Sequence, residues 1–270
     1  MISETIVHRR EAAFHDAWAS NTSTQDIMVR ECFEAPTALE NQFILSLMGP
    51  LAGKSLLDVG AGLGESSVYF ALQGARVTTV DISPQMVEMV LALGRKFGVS
   101  LEGIVSTAEN LNLPSESYDI VYIANTIHHV GDRAALFEQV HRALKPGGMF
   151  FSYDPLAYNP LIKVYRRMAT AVRTPDEAPL TKADIQLAQK YFSHVQHREF
   201  WIATLLLFVK YYLKDGVHPN RDRYWKKIFR ETSRQLWWWM PLRSLDRILT
   251  RIPFLRWIAW NVVMWGEKPG

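Results

Sequence analysis

The sequence of 270 residues predicts an α/β protein with a doubly wound, mostly parallel sheet. Three observations support this prediction. A short apolar strand at 55–59 runs into a glycine-rich turn that opens a helix. Strand and helix patterns then alternate up to about residue 155, which is typical of βαβ units. The run at 118–125 is rich in apolar and β-branched residues, as expected for a strand covered on both faces.

The turn after the first strand predicts a ligand site. It carries an acid followed by three alternate glycines: Asp58, Gly60, Gly62 and Gly64. Glycines let the backbone approach a ligand without a Cβ in the way, and the helix at 65–72 points its N-terminal amides there. The second strand, 76–81, ends in Asp81, whose carboxylate can accept both hydrogen bonds of a ribose diol. We therefore expect a nucleotide-like cofactor.

The glycine spacing argues against NAD. A dinucleotide-binding turn reads G-x-G-x-x-G, but the third position counted from Gly60 falls on Glu65, so the pattern is G-x-G-x-G. This turn resembles motif I of the Rossmann-like (class I) S-adenosylmethionine-dependent methyltransferases of small-molecule type. The resemblance implies a seven-stranded sheet, S-adenosyl-L-methionine as cofactor, and Asp58 facing the methionine ammonium group. The alternative is a glycine-rich turn that binds no ligand.

Later segments resemble the same family in the same order, so the resemblance covers about residues 50–155. The loop at 107–114 looks like the adenine-side loop, although the family commonly has Asp where this chain has Thr107. A helix at 132–144, a Lys-Pro-Gly-Gly turn and a strand at 149–153 resemble the fifth unit. The resemblance implies cofactor contacts from these residues: Asp58, Gly60, Ala61, Gly62, Gly64, Asp81, Ile82, Met86, Thr107, Ala108, Glu109 and Asn125.

Two adjacent histidines, His128 and His129, are the candidate catalytic residues. They follow the fourth strand, whose carboxyl end faces the crevice where ligands of open α/β sheets bind. The ordinary pKa of histidine suits proton transfer near neutral pH, so His128 is the better candidate for a base. The alternative is that both side chains only pack and hydrogen-bond. No metal ion is expected, because the sulfonium of the cofactor is already a strong electrophile.

These features predict methyl transfer to a small or lipid-like apolar acceptor, by O- or C-methylation. Two other classes stay open. One is an enzyme that uses the cofactor for a non-methylating reaction such as a cyclisation, and the other is a cofactor-binding protein without turnover. The sequence determines neither the acceptor nor the oligomeric state.

The chain divides into four predicted segments. Residues 1–50 form helices, either as a lid over the cofactor or as plain packing on the core. Residues 51–202 form the cofactor-binding core, with a proline-rich, substrate-side insertion at about 154–181 and a sixth strand at 195–202. Residues 203–257 are a helical Arg/Trp-rich insertion, and 258–270 hold the last strand, placed at 258–265.

The cysteine count and the N-terminal sequence predict a cytoplasmic location. The single cysteine, Cys32, permits no disulfide framework, which fits a reducing compartment. The first thirty residues carry acids and no apolar core of a signal peptide.

The Arg/Trp-rich insertion suggests two kinds of partner. Residues 221–256 include ten Lys or Arg and three acidic residues, which gives this segment a net charge of +7. Basic, Trp-rich amphipathic helices lie on anionic membranes, so peripheral membrane contact is one interpretation. The other is a helical cap over the substrate, whose arginines meet an anionic group; the residues in question are Arg243, Arg247, Arg251 and Trp237 to Trp239. Nucleic-acid binding is not expected, because no recognised binding module accompanies the charge.

Overall fold

The structure, a computed structural model, describes residues 6–270, except for the side chains of 233–236. Residues 1–5 of the predicted N-terminal segment therefore lie outside the described residues. The strands are β1 (Ser55–Val59), β2 (Arg76–Asp81), β3 (Leu101–Val105), β4 (Tyr118–Ala124), β5 (Leu144–Pro155), β6 (Ser193–Phe200) and β7 (Asn261–Glu267). They form one seven-stranded sheet in the order β3-β2-β1-β4-β5-β7-β6.

The sheet is mostly parallel, which confirms the predicted fold class. Strands β1 to β5 pair in parallel, and β7 is antiparallel to both of its neighbours, β5 and β6. Parallel strands need crossover helices, so both faces of the sheet are covered. The helices are α1 (Ile6–Ser20), α2 (Glu31–Glu34), α3 (Leu39–Met48), α4 (Glu65–Leu72), α5 (Pro84–Phe97), α6 (Arg133–Ala143), α7 (Pro160–Met168), α8 (Lys182–Ala188), α9 (Leu206–Leu213), α10 (Tyr224–Arg230) and α11 (Thr232–Leu249).

Successive strand residues point to opposite faces and enter two separate cores. In β1, Leu56 packs into a core shared with α3, α4 and α5, whereas Leu57 packs into a core shared with α6 and α8. Both side chains are fully buried. This alternation is the period-two geometry of a strand, and it explains why a continuous apolar run forms a central strand.

Local capping fixes the helices that follow β2 and precede β5. Ser83 Oγ accepts a hydrogen bond from the backbone N of Met86 at 3.0 Å, and Pro84 occupies the first turn of α5. Asp132 caps α6 by accepting from the backbone N of Ala135 at 3.0 Å. These caps orient the loops at the carboxyl end of the sheet.

Two strands lie a few residues from their predicted positions. The sixth strand, predicted at 195–202, ends at Phe200 because Trp201 adopts a left-handed conformation (φ 71°) and packs its buried ring against Trp239. The last strand, predicted at 258–265, begins at Asn261 because residues 256–258 form a 3₁₀ turn. Each shift is two or three residues and leaves the topology as predicted.

The segment between β6 and β7 is helical, as predicted. Helices α9, α10 and α11 occupy it, and Pro241 lies inside α11. Among the described residues, no helix is both long enough and apolar enough to cross a membrane.

Candidate active site

A cavity of about 270 Å³ opens at the carboxyl ends of β1, β2 and β4. Gly60 and Asn125, which follow β1 and β4, and Asp81, the last residue of β2, all line it. Helix α1 lies over this opening, because His8, Glu11, Phe14, His15 and Trp18 line the cavity as well. Ligands of open α/β sheets bind at such strand ends, so this is the candidate active site.

Most of the predicted cofactor residues line this cavity. They are Gly60, Ala61, Gly62, Asp81, Ile82, Ala108, Glu109 and Asn125. Four do not line it: Asp58, Gly64, Met86 and Thr107. Met86 is fully buried in the core, and the neighbours of Thr107, Ser106 and Ala108, reach the cavity in its place.

The glycine turn is held against Asp81 by its own backbone. The N–H of Gly62 donates to Asp81 Oδ2 at 2.9 Å, and the N–H of Ser83 donates to Asp81 Oδ1 at 2.9 Å. Gly60 has φ 73°, and a Cβ there would lie 2.1 Å from Thr126 Oγ1, so only glycine fits. Gly62 has φ 54°, and a Cβ there would meet nothing within 4 Å. The space beside Gly62 is therefore open to a ligand.

Asp58 lies behind the turn and faces helix α4. Its Oδ2 accepts hydrogen bonds from Ser66 Oγ and Ser67 Oγ, each at 2.6 Å, and the residue is 1% exposed. Burial raises the pKa of Asp58 to about 6. Asp58 does not line the cavity, although its partner Ser66 does, and its predicted position facing the methionine ammonium group stays a prediction.

His128 and Asp154 form a buried pair at the floor of the cavity. His128 Nδ1 lies 2.7 Å from Asp154 Oδ1, which also accepts from the backbone N of His128 at 3.1 Å. Burial lowers the pKa of His128 well below its ordinary value, and His129 lowers it further. Burial likewise raises the pKa of Asp154 to about 7. With Nδ1 held by Asp154, a neutral His128 has Nε2 available as a proton acceptor.

His129 is turned to helix α1 instead. Its Nδ1 lies 3.0 Å from Glu11 Oε2, and His15 Nε2 lies 3.6 Å from the same oxygen. Burial opposes ionisation of His129, but the bond to Glu11 raises the pKa of His129 overall. Burial would raise the pKa of Glu11 too, yet the bonds with His129 and His15 lower it. The two adjacent histidines therefore have different electrostatic environments.

These ion pairs also bring potential metal ligands together. Glu11, His15 and His129 offer one ligand atom each within 4.8 Å of one another, and so do His128, His129 and Glu177. Two imidazoles with a carboxylate can hold a divalent cation. The sequence could have shown that Glu11 and His15 share a face of α1, because they are four residues apart. It gave no signal that His129 would lie beside them.

Three arginines that were not predicted as site residues border the cavity. Arg173 donates from Nε to Glu177 Oε2 at 2.7 Å, and Arg166 Nη2 lies 3.2 Å from the same oxygen. Arg223 Cζ lies 3.6 Å from the ring centroid of Trp18 on α1. Arg166 and Arg173 belong to the predicted substrate-side insertion, and Arg223 precedes α10.

The Arg/Trp-rich insertion divides into two parts. Its first part lines the cavity with Arg223, Trp225 and Phe229, and its role as a cap over the substrate stays a prediction. Its second part, α11, does not: Arg243 and Arg247 line a separate pocket with Glu199, and Trp239 is buried against Trp201. The prediction that Arg243, Arg247, Arg251 and Trp237 to Trp239 line the substrate pocket is therefore wrong, because α11 packs on Trp201 and residues 203–205 after the edge strand β6 and not on the ends of β1, β2 and β4.

Comparison with protein families matches residues 57–152 to a methyltransferase domain. A ubiquinone biosynthesis O-methyltransferase from Methylobacterium sp. (strain 4-46) is 35% identical over 103 residues, 38% of this chain and 41% of that protein. A phosphoethanolamine N-methyltransferase from Triticum aestivum is 37% identical over 105 residues, 38% of this chain and 20% of that protein. The chain thus spans less than half the length of these relatives.

Solved structures agree with the fold over nearly the whole chain. Phosphoethanolamine N-methyltransferase 2 of Haemonchus contortus, in complex with phosphomonomethylethanolamine and S-adenosylhomocysteine, has a TM-score of 0.63 at 19% identity, covering 96% of this chain and 60% of that one. A putative sarcosine dimethylglycine methyltransferase from Galdieria sulphuraria has a TM-score of 0.57 at 14% identity, covering 98% and 99%. Residues 57–152 are therefore a methyltransferase domain, in a chain with the Rossmann-like (class I) methyltransferase fold.

Proposed function

We propose that this protein transfers a methyl group from S-adenosylmethionine to a small-molecule acceptor. The observation that carries the proposal is the glycine turn, in which Gly62 is bonded to Asp81 beside open space, at the edge of a cavity that also contains His128. The matched methyltransferase domain covers this turn and both histidines. Its curated relatives include O- and N-methyltransferases, so the acceptor atom is not restricted to oxygen or carbon.

The residues present fit the cofactor at both of its polar ends. Asp81 has acceptor capacity left after its two backbone bonds, as a ribose diol requires. The open side of Gly62 would admit the amino acid portion, and Ala108 and Glu109 line the same cavity. When bound, S-adenosylmethionine supplies an activated methyl group on a sulfonium. The protein's tasks are then to align the acceptor and to exclude water.

We propose that His128 is the base for an acceptor that must lose a proton. Its lowered pKa keeps the imidazole neutral near pH 7, and Asp154 fixes its orientation through Nδ1. A proton on the acceptor would move to Nε2 as the methyl group is transferred. His129, paired with Glu11, holds helix α1 over the cavity and takes no proton in this scheme.

Transfer of a labelled methyl group tests the proposed function. The protein is incubated with methyl-labelled S-adenosylmethionine and a panel of phenols, carboxylates and amines, and the label is traced by mass spectrometry. We expect label in one acceptor class together with S-adenosylhomocysteine. Label that stays in a rearranged product of the cofactor would indicate non-methylating chemistry, and cofactor binding without turnover on any acceptor would indicate a binding protein.

We also propose peripheral contact with anionic membranes through the outer face of α11. Trp237, Met240 and Ile248 recur at helical spacing on this face, and Trp237 is 82% exposed. Phe254, in the turn that follows, is 73% exposed. An exposed apolar stripe on a basic helix is the usual design of an interfacial helix.

The inner face of α11 supports this orientation. Trp239 is fully buried, and Asp246 is used internally because it accepts from the backbone N of Ala203 at 2.5 Å. The acid of this helix therefore does not face outward to repel lipid phosphates. Arg243 and Arg247 lie on the flank, spaced four residues apart, where they can meet anionic headgroups.

Vesicle co-sedimentation tests the membrane proposal. We expect binding to phosphatidylglycerol-containing vesicles, weakened by salt, and none to pure phosphatidylcholine. Trp237→Ser with Ile248→Ser should abolish it. Val105→Ser is the matched control, because Val105 is 51% exposed on the edge strand β3 at the opposite end of the sheet. Equal binding by the double variant and the control would exclude this face.

A further inference from the structure

We propose that the acceptor carries an anionic group, a carboxylate or a phosphate, and that Arg223, with Arg166 and Arg173, binds it. The proposal rests on the proposed function, because it names the class of acceptor that the same cavity takes. Three observations carry it: a guanidinium without a carboxylate partner, a local excess of positive charge, and the place of both beside the candidate base.

Arg223 has no ion pair among the described residues. Its guanidinium lies 3.6 Å from the centroid of the Trp18 ring and donates one long bond, from Nη1 to the carbonyl of Val172 at 3.3 Å. A guanidinium carries five N–H donors, so most of the hydrogen-bonding capacity of Arg223 is unused. Burial lowers the pKa of Arg223 to about 10, although Tyr165 and Glu177 counteract this effect in part.

The neighbouring arginines share a single carboxylate. Arg173 approaches Glu177 Oε2 with Nε at 2.7 Å and Nη2 at 2.5 Å, and Arg166 Nη2 lies 3.2 Å from the same oxygen. Burial lowers the pKa of Arg166 to about 10 as well, and Arg173 adds to this effect. Arg166, Arg173 and Arg223 line this cavity with two carboxylates of the same wall, Glu11 and Glu177, so the guanidiniums exceed the carboxylates by one. Removing an unpaired cation from bulk water costs free energy, and an anionic group of a ligand would reduce this cost.

This charge lies next to the candidate base. Glu177 Oε2, which both arginines contact, is 3.9 Å from Nε2 of His128. Aromatic side chains of the cap, Trp225 and Phe229, line the same cavity and offer an apolar surface to the body of the acceptor. An anionic group held by the arginines would therefore place an adjacent hydroxyl or amine near His128.

The mode of binding follows from the geometry of guanidinium groups. Carboxylates and phosphates accept two parallel N–H bonds from one arginine, which fixes orientation as well as position. Because Arg223 is stacked on Trp18, the anion would also tie helix α1 to the cap.

Calorimetry on the full chain with S-adenosylhomocysteine present tests this inference. The probes are benzoate, phenylphosphate and the neutral benzyl alcohol. We expect at least one anion to bind about tenfold or more tightly than the alcohol, because one charge-assisted hydrogen bond contributes enough free energy for a tenfold change in affinity. Equal affinity for all three in the wild-type protein overturns the inference without any variant.

Variants then assign the effect to the arginine. Arg223→Gln should remove the preference for the anions, and Arg223→Lys should restore part of it. Arg221→Gln is the matched control, because Arg221 is exposed two residues away and makes no ion pair in the described part of the chain. A preference unchanged in Arg223→Gln overturns the assignment.

Two further measurements separate a failure of this inference from a failure of the proposed function, and a lipid phosphate from a soluble one. If the wild-type protein does not bind S-adenosylhomocysteine, the proposed function fails. Titration of the anions in the absence of S-adenosylhomocysteine then still tests whether Arg223 binds an anion. Phosphatidylglycerol vesicles distinguish a lipid phosphate from a soluble one. Competition between these vesicles and phenylphosphate for the Arg223 site indicates a lipid-borne acceptor, and independent binding indicates a soluble one; either result supports an anion at Arg223.

Discussion

The two walls of the cavity are built in different ways. The cofactor-side wall consists of strand ends and backbone: Gly60 and Gly62 adopt left-handed conformations, and the backbone N–H groups of Gly62 and Ser83 bind Asp81. The acceptor-side wall consists of charged side chains from α1, from residues 166–177 and from the segment before α10. The first wall is set by local chain geometry, whereas the second exists only when distant segments meet.

This difference predicts different responses to mutation. A substitution in the glycine turn acts directly on cofactor binding, because no other segment can replace a backbone N–H group. A substitution in the acceptor-side wall leaves the cofactor in place and changes the fate of the acceptor. Glu11 and Glu177 are central there, since each carboxylate has several partners.

The largest expected effect belongs to His128, where the two walls meet. His128→Asn should slow label transfer by about 10²- to 10⁴-fold, the usual contribution of a general base, while the affinity for S-adenosylhomocysteine stays within about twofold. Single-turnover label transfer and calorimetry measure the two quantities. His194→Asn is the control, because His194 is exposed on β6 with φ 50°, which asparagine tolerates. Full turnover in His128→Asn would assign this residue to packing.

Asp58 tests the cofactor-side wall through its pH dependence. Its folded pKa of about 6 exceeds the ordinary aspartate value of 3.8, so its contribution to stability is present below about pH 4 and is lost as pH rises to about 6. The loss is about 3 kcal/mol, at 1.36 kcal/mol per pKa unit. Asp58→Asn should therefore flatten the fall in unfolding free energy over this range, as measured by urea titration.

Asp119 is a control for that experiment, because its pKa is shifted in the opposite direction to that of Asp58. Burial opposes ionisation of Asp119, but its bonds to the backbone N of Ser55 and to Lys145 lower its pKa overall. Its contribution to stability is present above its unfolded pKa and is lost as pH falls. Asp119→Asn should leave the fall between pH 4 and 6 in place. Identical pH profiles for the wild-type protein and Asp58→Asn would contradict the assigned environment of Asp58.

The cofactor-side wall could be predicted from the sequence because its signals are local. Gly60, Gly62 and Asp81 stand at the ends of apolar strands, and strand ends of a parallel sheet meet at one edge. The position of Asp58 could not be predicted, because the bonds from Ser66 and Ser67 depend on the register of α4 against β1.

The acceptor-side wall could not be predicted in the same way. Glu11 and His129 are separated by more than a hundred residues, and no periodic pattern links α1 to the loop after β4. The basic composition of the insertion was visible, but it pointed to Arg243, Arg247 and Arg251. The cavity is instead lined by Arg223, which precedes a short helix whose Trp225 and Phe229 also line it.

Glu11 tests whether α1 acts as a lid. Glu11→Gln removes the partner of His129 and His15 and should raise the KM of the acceptor about tenfold, since hydrogen bonds to charged groups contribute about 1.5–3 kcal/mol. The affinity for S-adenosylhomocysteine should change less. Arg9→Gln is the matched control on the exposed side of the same helix. If both variants retain the wild-type KM, α1 is plain packing.

The smallest expected effect is that of metal removal. We expect label transfer to be unchanged after treatment with a chelator, because the raised pKa of His129 favours a proton over a cation beside Glu11. Activity lost on chelation and restored by a divalent cation would instead identify Glu11, His15 and His129 as a metal site.

Binding of the cofactor product to glycine variants tests the central claim most directly. By calorimetry, the wild-type protein should bind S-adenosylhomocysteine with micromolar affinity and should not bind NAD, and Gly62→Val should abolish binding. Gly98→Val is the matched control, because Gly98 (φ 71°) carries the same backbone strain in open space away from the cavity. Equal affinity for NAD, or wild-type affinity for S-adenosylhomocysteine in Gly62→Val, would contradict the account.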